Sequence, residues 1–164
     1  MSMIPKTLTL SLLSLSLLAS LFAQDRYKGP KPPKSDIPYL LHAANLVETE
    51  PAEAQESKSK NDTVYTVSGT SAKARTPLSE PIFLMAVDKL SAEKFSCYRM
   101  ETKGGSRQLV LPLKPGRNAP KPLRMNVTRV ADNLYRIELA ESLTNGEYTL
   151  SPEGSNQVFS FAVY

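Results

Sequence analysis

The 164-residue chain has no tryptophan, one cysteine, one histidine and seven glycines, and each shortage closes off a kind of chemistry. A lone cysteine, Cys97, allows no disulfide within the chain, so the fold must hold by its own core. Cys97 sits between Phe95 and Tyr98 and reads as a small buried hydrophobe. Cys97 and His42 together cannot make a zinc or copper site, which takes several nitrogen or sulfur ligands. His42 lies in the apolar stretch Leu40-Leu41-His42-Ala43-Ala44 with no serine or cysteine beside it. It reads as a structural histidine bonded to backbone rather than as a base. Glycine is too sparse for a phosphate-cradling loop between a strand and a helix.

Excess charge is also scarce. Twenty Lys and Arg against sixteen Asp and Glu leave a net charge of +4, of which Lys6 contributes one. A balance this small predicts no nucleic-acid partner. Ser91-Ala92-Glu93-Lys94 has the Ser-x-x-Lys spacing of penicillin-recognising enzymes, yet their Ser-Asp-Asn and Lys-Thr-Gly elements are missing. Glu48, Glu50, Glu53 and Asp62 match no calcium-loop spacing and read as solvated charge. No catalytic, cofactor-binding or metal-ligating residue is therefore assigned, and the chain reads as a non-enzyme.

One long apolar run is present, and it comes first. Lys6 is the only charge before residue 24, and Leu8 to Ala19 is apolar apart from Thr9 and three serines. Ala19, Ser20 and Ala23 supply the small residues of a signal-peptidase site, with cleavage expected after Ala23. The run falls short of the roughly 20 apolar residues of a membrane span. Retention as an anchor stays open. Residues 1–23 thus predict a secreted or periplasmic protein with no membrane span after cleavage.

Residues 24–36 contain Lys28-Gly29-Pro30-Lys31-Pro32-Pro33-Lys34, a Pro/Lys-rich segment expected as an extended, flexible leader. Residues 37–164 suit a single domain. Ile37 to Val47 is apolar and fits a strand or a short helix. Residues 48–62 are polar throughout and predict a surface excursion. Beyond Asp62 the apolar period becomes two. Thr63–Val67, Ile82–Val87, Phe95–Glu101, Arg107–Leu113, Leu123–Thr128, Tyr135–Leu139, Glu147–Ser151 and Phe159–Val163 each read as strands. Lys103-Gly104-Gly105 marks a hairpin turn and Asp132-Asn133 another. Thirteen prolines and no sustained helical period agree with an all-β fold. The expectation is an antiparallel β-sandwich of seven or eight short strands.

Near the end, Leu143-Thr144-Asn145-Gly146-Glu147-Tyr148 resembles the tyrosine corner of immunoglobulin-like and fibronectin-type β-sandwiches. The resemblance implies that the Tyr148 hydroxyl bonds backbone a few residues upstream, over Leu143, with Gly146 letting the chain turn. It carries a fold class and no function.

Two surfaces remain as expectations. Ile82, Phe83, Leu84 and Met85 are apolar on both strand faces. Either another part of the chain covers the outer face, with 37–47 folding back over it, or a protein partner does. Lys114, Arg117, Lys121 and Arg124 concentrate cations in one loop, which suits an anionic envelope polymer, glycan or lipid headgroup. The functional expectation is an exported, non-catalytic binding or structural module with an unknown protein or polymer partner; the alternatives are the anionic-polymer binder and a small secreted hydrolase.

Overall fold

The computed structural model describes residues 27–164. The expected signal segment, 1–23, and residues 24–26 of the leader lie outside them.

Strands follow one another along the whole described chain. The first four are short: β1 (Tyr39–His42), β2 (Asn45–Glu48), β3 (Glu50–Glu53) and β4 (Gln55–Lys58). Then come β5 (Asp62–Ser68), the two-residue β6 (Arg75–Thr76) and β7 (Ile82–Ala86). A single 3-10 turn, Ala92–Lys94, leads into β8 (Phe95–Lys103) and β9 (Ser106–Pro112). The last four are β10 (Met125–Ala131), β11 (Leu134–Leu139), β12 (Gly146–Pro152) and β13 (Gln157–Val163). The fold is all-β, and every segment expected as a strand after Asp62 is one. Gly104 and Gly105 have φ of +59° and +77°, the positive values a two-residue hairpin needs to bring Lys103 opposite Ser106. Among the described residues no helix is long and apolar enough to cross a membrane.

The strands form two sheets. One has the order β10-β11-β7-β1-β2, antiparallel throughout. The other runs β3-β13-β12-β8-β9-β5-β4, with β6 parallel beside β13. Its two ends, β3 and β4, are separated only by Ala54, so this sheet rolls until its edges join through one residue. The long strand β8 makes the bend. Its first part, Phe95 to Met100, pairs with β12, and its last three residues pair with β9.

Alternation along the rolled sheet then serves two cores. Outward-facing Phe95, Cys97, Tyr148, Leu150, Phe159 and Phe161 pack against Leu40, Phe83, Met85 and Ile137 of the five-stranded sheet. Phe83 meets Phe161 edge-on, with ring centroids 5.0 Å apart, and Tyr148 stacks on Phe161 at 5.5 Å. Inward-facing Met100, Leu109, Val158 and Val67 form a second, smaller cluster with Ala54, Tyr65, Tyr98 and Leu111. The corner at Tyr148 is formed: its hydroxyl donates to the Thr144 carbonyl at 2.7 Å. Arg99 clamps it, donating to the Tyr148 hydroxyl at 3.2 Å and to the Asn145 carbonyl at 3.0 Å. A Cβ on Gly146 would come within 2.9 Å of that guanidinium, so glycine is what lets Arg99 reach in.

Residues 48–62 depart from the expected excursion, since they supply β3 and β4. The side chains that β3 turns inward are Glu50 and Ala52, followed by Ala54, too small or too polar to register as a core stripe. The leader departs as well. Asp36 donates its amide to the Ala86 carbonyl at 2.7 Å, and its carboxylate accepts from the amides of Asp88, Lys89 and Leu90. Burial works against that charge, but the three amides together hold the Asp36 carboxyl below its usual range. Lys34 pairs with Glu48 at 3.0 Å, and Glu48 accepts from the Tyr39 hydroxyl at 2.9 Å. The end of the leader is thus pinned to the five-stranded sheet.

Candidate functional site

A cavity of about 440 Å³ opens at one end of the rolled sheet. Its walls are the inward residues of successive strands: Tyr65 of β5, Ser96, Tyr98 and Met100 of β8, Leu109 and Leu111 of β9, Thr149 and Ser151 of β12, and Val158 of β13. Ala54 closes the ring. The cavity exists because β8 and β9 part company. Their ladder ends at Glu101 opposite Gln108, and beyond it Phe95–Met100 follows β12 while the rest of β9 stays with β5. The mouth is framed by Glu93 and Lys94 of the 3-10 turn and by the β12–β13 turn. The Glu153 amide donates to the Lys94 carbonyl at 2.8 Å and ties the two turns together.

Below its mouth the polar groups that line the cavity are hydroxyls, of which Thr149 and Ser151 donate to the Leu150 and Gln157 carbonyls. Among the described residues neither the Tyr65 nor the Tyr98 hydroxyl has a hydrogen-bond partner in the chain, and both rings are half-buried. Burial first, and the neighbouring Tyr65 second, push the Tyr98 phenol above its ordinary range. Such a site can pack apolar matter and exchange hydrogen bonds with an uncharged group.

The far end is closed by charge. Arg107 extends the inward face of β9 beyond Leu109 and is 1% exposed. Its Nη2 lies 2.6 Å from Glu50 and donates to the Ser68 carbonyl at 3.0 Å, while Nε donates to Gly69 at 3.1 Å. Glu147 stands 4.0 Å from Nη1. The same carboxylates cap the loop after β5: Glu147 accepts from the Ser71 hydroxyl and the Ala72 amide, and Glu50 from the Lys73 amide. Burial opposes the ionisation of Glu50, but Arg107 and the Lys73 amide outweigh it and lower its pKa.

The residues singled out from sequence lie elsewhere. Phe83, Leu84 and Met85 are fully buried and Ile82 half-buried, so they offer no open patch to a partner. Phe83 and Met85 face the inter-sheet core. Leu84, on the other face, stands between Tyr39 and Arg136. Residues 37–47 do not fold over this strand; they pair beside it, because β1 completes its ladder edge to edge. The leader attends to the outer face instead, with Lys34 at Glu48 and Tyr27 in the field of Arg136. Lys114, Arg117, Lys121 and Arg124 are all exposed. Arg124 lies 3.8 Å from Glu141, and among the described residues the other three have no ion-pair partner. His42 bonds the Thr76 hydroxyl at 2.9 Å rather than backbone, and buried Cys97 has its thiol pKa raised far above normal by desolvation. Among the described residues no group of three or more His, Cys, Asp or Glu could hold a metal ion.

Tyr98, Ser96, Thr149 and Ser151 were not found by sequence reasoning. Their signal was a strand whose second face is neither apolar nor charged: Ser96-Tyr98 behind Phe95-Cys97, and Thr149-Ser151 behind Tyr148-Leu150. Comparison of the chain with protein-family models, with curated proteins and with solved structures finds no match in any of the three.

Proposed function

We propose that this chain is an exported, non-catalytic binding module of the cell envelope or extracellular space, and that its ligand enters the mouth of the rolled sheet. The observation that carries the reading is the 440 Å³ cavity with two unpartnered tyrosine hydroxyls. That volume lies in the range of small-molecule sites, as does the pairing of apolar walls with a few polar groups. The signal-like first 23 residues support export. The corner at Tyr148 supports grouping the closing strands with immunoglobulin-like modules, which commonly serve binding. Thermal-shift measurement against a panel of small apolar molecules tests the site. The reading requires at least one of them to raise the midpoint of the native protein and not that of Leu111→Lys, which puts a charge in the wall.

A second surface is favoured by one observation: Lys114, Arg117 and Lys121 are exposed cations without a pairing carboxylate among the described residues. We propose that this loop contacts anionic glycan or lipid headgroups of the envelope. Binding to an acidic polymer should weaken steeply between low and moderate salt. Salt-insensitive binding counts against it.

A further inference from the structure

We infer that the loop between β9 and β10 docks on an anionic lipid bilayer, its cations at the headgroups and Leu113 entering the interface. The inference rests on the second reading above and chooses the bilayer over the glycan.

Charge is the first argument. From Thr102 to Ala131 the chain has no aspartate or glutamate, while it carries seven lysines and arginines. The other thirteen cations face all sixteen carboxylates, so the positive excess of the chain is gathered in this stretch. The fold then spends part of it. Arg107 is buried against Glu50, Arg124 lies 3.8 Å from Glu141, and Arg129 lies 2.7 Å from Asp132. Lys103 stands at the opposite end of β9, in the hairpin turn. Lys114, Arg117 and Lys121 remain: exposed, in one loop, and with no ion-pair partner among the described residues.

The second argument is that the loop is held. The Leu113 amide donates to the Asn61 carbonyl at 2.8 Å, and the Leu123 amide to the Cys97 carbonyl at 2.8 Å. Between these ends Pro115, Pro120 and Pro122 restrict the backbone, and the Ala119 amide bonds the Gly116 carbonyl at 3.1 Å. A segment fixed in this way loses little conformational freedom when it docks.

Leu113 selects the bilayer. At 60% it is the most exposed large hydrophobic side chain among the described residues, and it adjoins Lys114. An apolar side chain beside cations gains little from a polyanion dissolved in water. It gains from the hydrocarbon boundary that lies under anionic headgroups. From Leu113 to Arg124 there is no aromatic residue, so a platform for stacking nucleic-acid bases is missing.

The test is co-sedimentation with vesicles of phosphatidylcholine, alone or mixed with phosphatidylglycerol. The chain from Gln24 onward is used; it holds both hydrophobic clusters and omits the apolar first segment, which by itself favours any bilayer. Polyglutamate is the companion probe, an acidic polymer with no hydrocarbon layer. Binding to the mixed vesicles alone is expected. It should fall about hundredfold when Lys114→Gln, Arg117→Gln and Lys121→Gln are combined, at about fivefold for each cation. Leu113→Ser should weaken vesicle binding about tenfold and leave polyglutamate binding unchanged. All four side chains are exposed, so circular dichroism of both variants should match the parent. Polyglutamate binding without vesicle binding, or vesicle binding indifferent to Leu113, overturns the bilayer and leaves the loop a polyanion contact. Equal binding to both kinds of vesicle overturns it too, since the cations then play no part. If neither vesicles nor polyglutamate bind, both readings of the loop fall.

Discussion

The two ends of the rolled sheet are built from the same inward register and used in opposite ways. At one end Arg107, Glu50 and Glu147 meet each other and the loop after β5, and among these described side chains Arg107 Nη1 alone is buried without a hydrogen bond. At the other end the Tyr65 and Tyr98 hydroxyls make no hydrogen bond among the described residues. The difference teaches where this protein keeps stability and where it keeps capacity. Polar groups that satisfy one another rigidify a fold, whereas polar groups left facing a cavity are available to something else. The backbone makes the same division. The ladder between β8 and β9 is intact near the closed end and stops on the way to the mouth.

The largest effect should come from breaking the closed end. Arg107→Ala leaves Glu50 and Glu147 facing each other in the rolled sheet without their cation, and a loss of about 3 kcal/mol in urea denaturation is expected. Because the cost lies in uncompensated carboxylates, the gap between variant and parent should narrow near pH 4. A deficit below about 0.5 kcal/mol, or one indifferent to pH, would mean that the trio is ornamental.

Acid on the unaltered protein comes next. Asp36 and Glu50 both have lowered pKa values, so the unfolded chain binds protons that the folded chain refuses. Their contribution is complete above the ordinary carboxylate range near pH 4 and is lost as pH falls through the lower folded values. Hydrogen exchange across an acid series should find residues 69–73 and 88–90 opening before the inter-sheet core. Simultaneous opening everywhere would show that these carboxylates hold nothing locally.

This contrast also explains how much could be read in advance. From β5 onward every strand but the two-residue β6 was legible, β7 from its unbroken apolar run and the others from a period of two. The rolling of one sheet was not. It depends on β3 and β4, whose inward residues are Glu50, Ala52 and Ala54 in a segment that otherwise looks solvated. Small residues at the join and a carboxylate meeting a buried arginine carry no hydrophobic signal. Arg107 was hidden for the same reason, since its single-residue pattern is that of an exposed strand position. The corner at Tyr148 was legible because its partner is only four residues away. Tyr65, Leu109 and Leu111 line a space with a mouth, which the period of two in β5 and β9 does not distinguish from a closed core. The apolar run Ile82–Met85 was read correctly as doubly apolar. What its outer face meets was not visible, because the pinning of the leader depends on backbone amides and on Glu48.

The smallest pair of effects gives the sharpest comparison, since the same atom is removed from two tyrosines on neighbouring strands. Tyr148→Phe deletes a hydroxyl that donates to the Thr144 carbonyl and accepts from Arg99, and about 1 kcal/mol of stability should go with it. Tyr98→Phe deletes a hydroxyl with no partner in the chain, on a half-buried ring whose packing it leaves in place. Its stability change should stay within about 0.5 kcal/mol, of either sign, since removing a hydroxyl that bonds no other described residue costs no internal bond. Ligand affinity should respond the other way round. Tyr98→Phe should weaken a ligand that hydrogen-bonds this hydroxyl by about fivefold, the loss of one neutral hydrogen bond, and leave a plain hydrocarbon unaffected. Tyr148→Phe should alter neither. Equal stability losses from both variants would mean that Tyr98 is spent on the fold after all, and the distinction between a closed end and an open one would go with it.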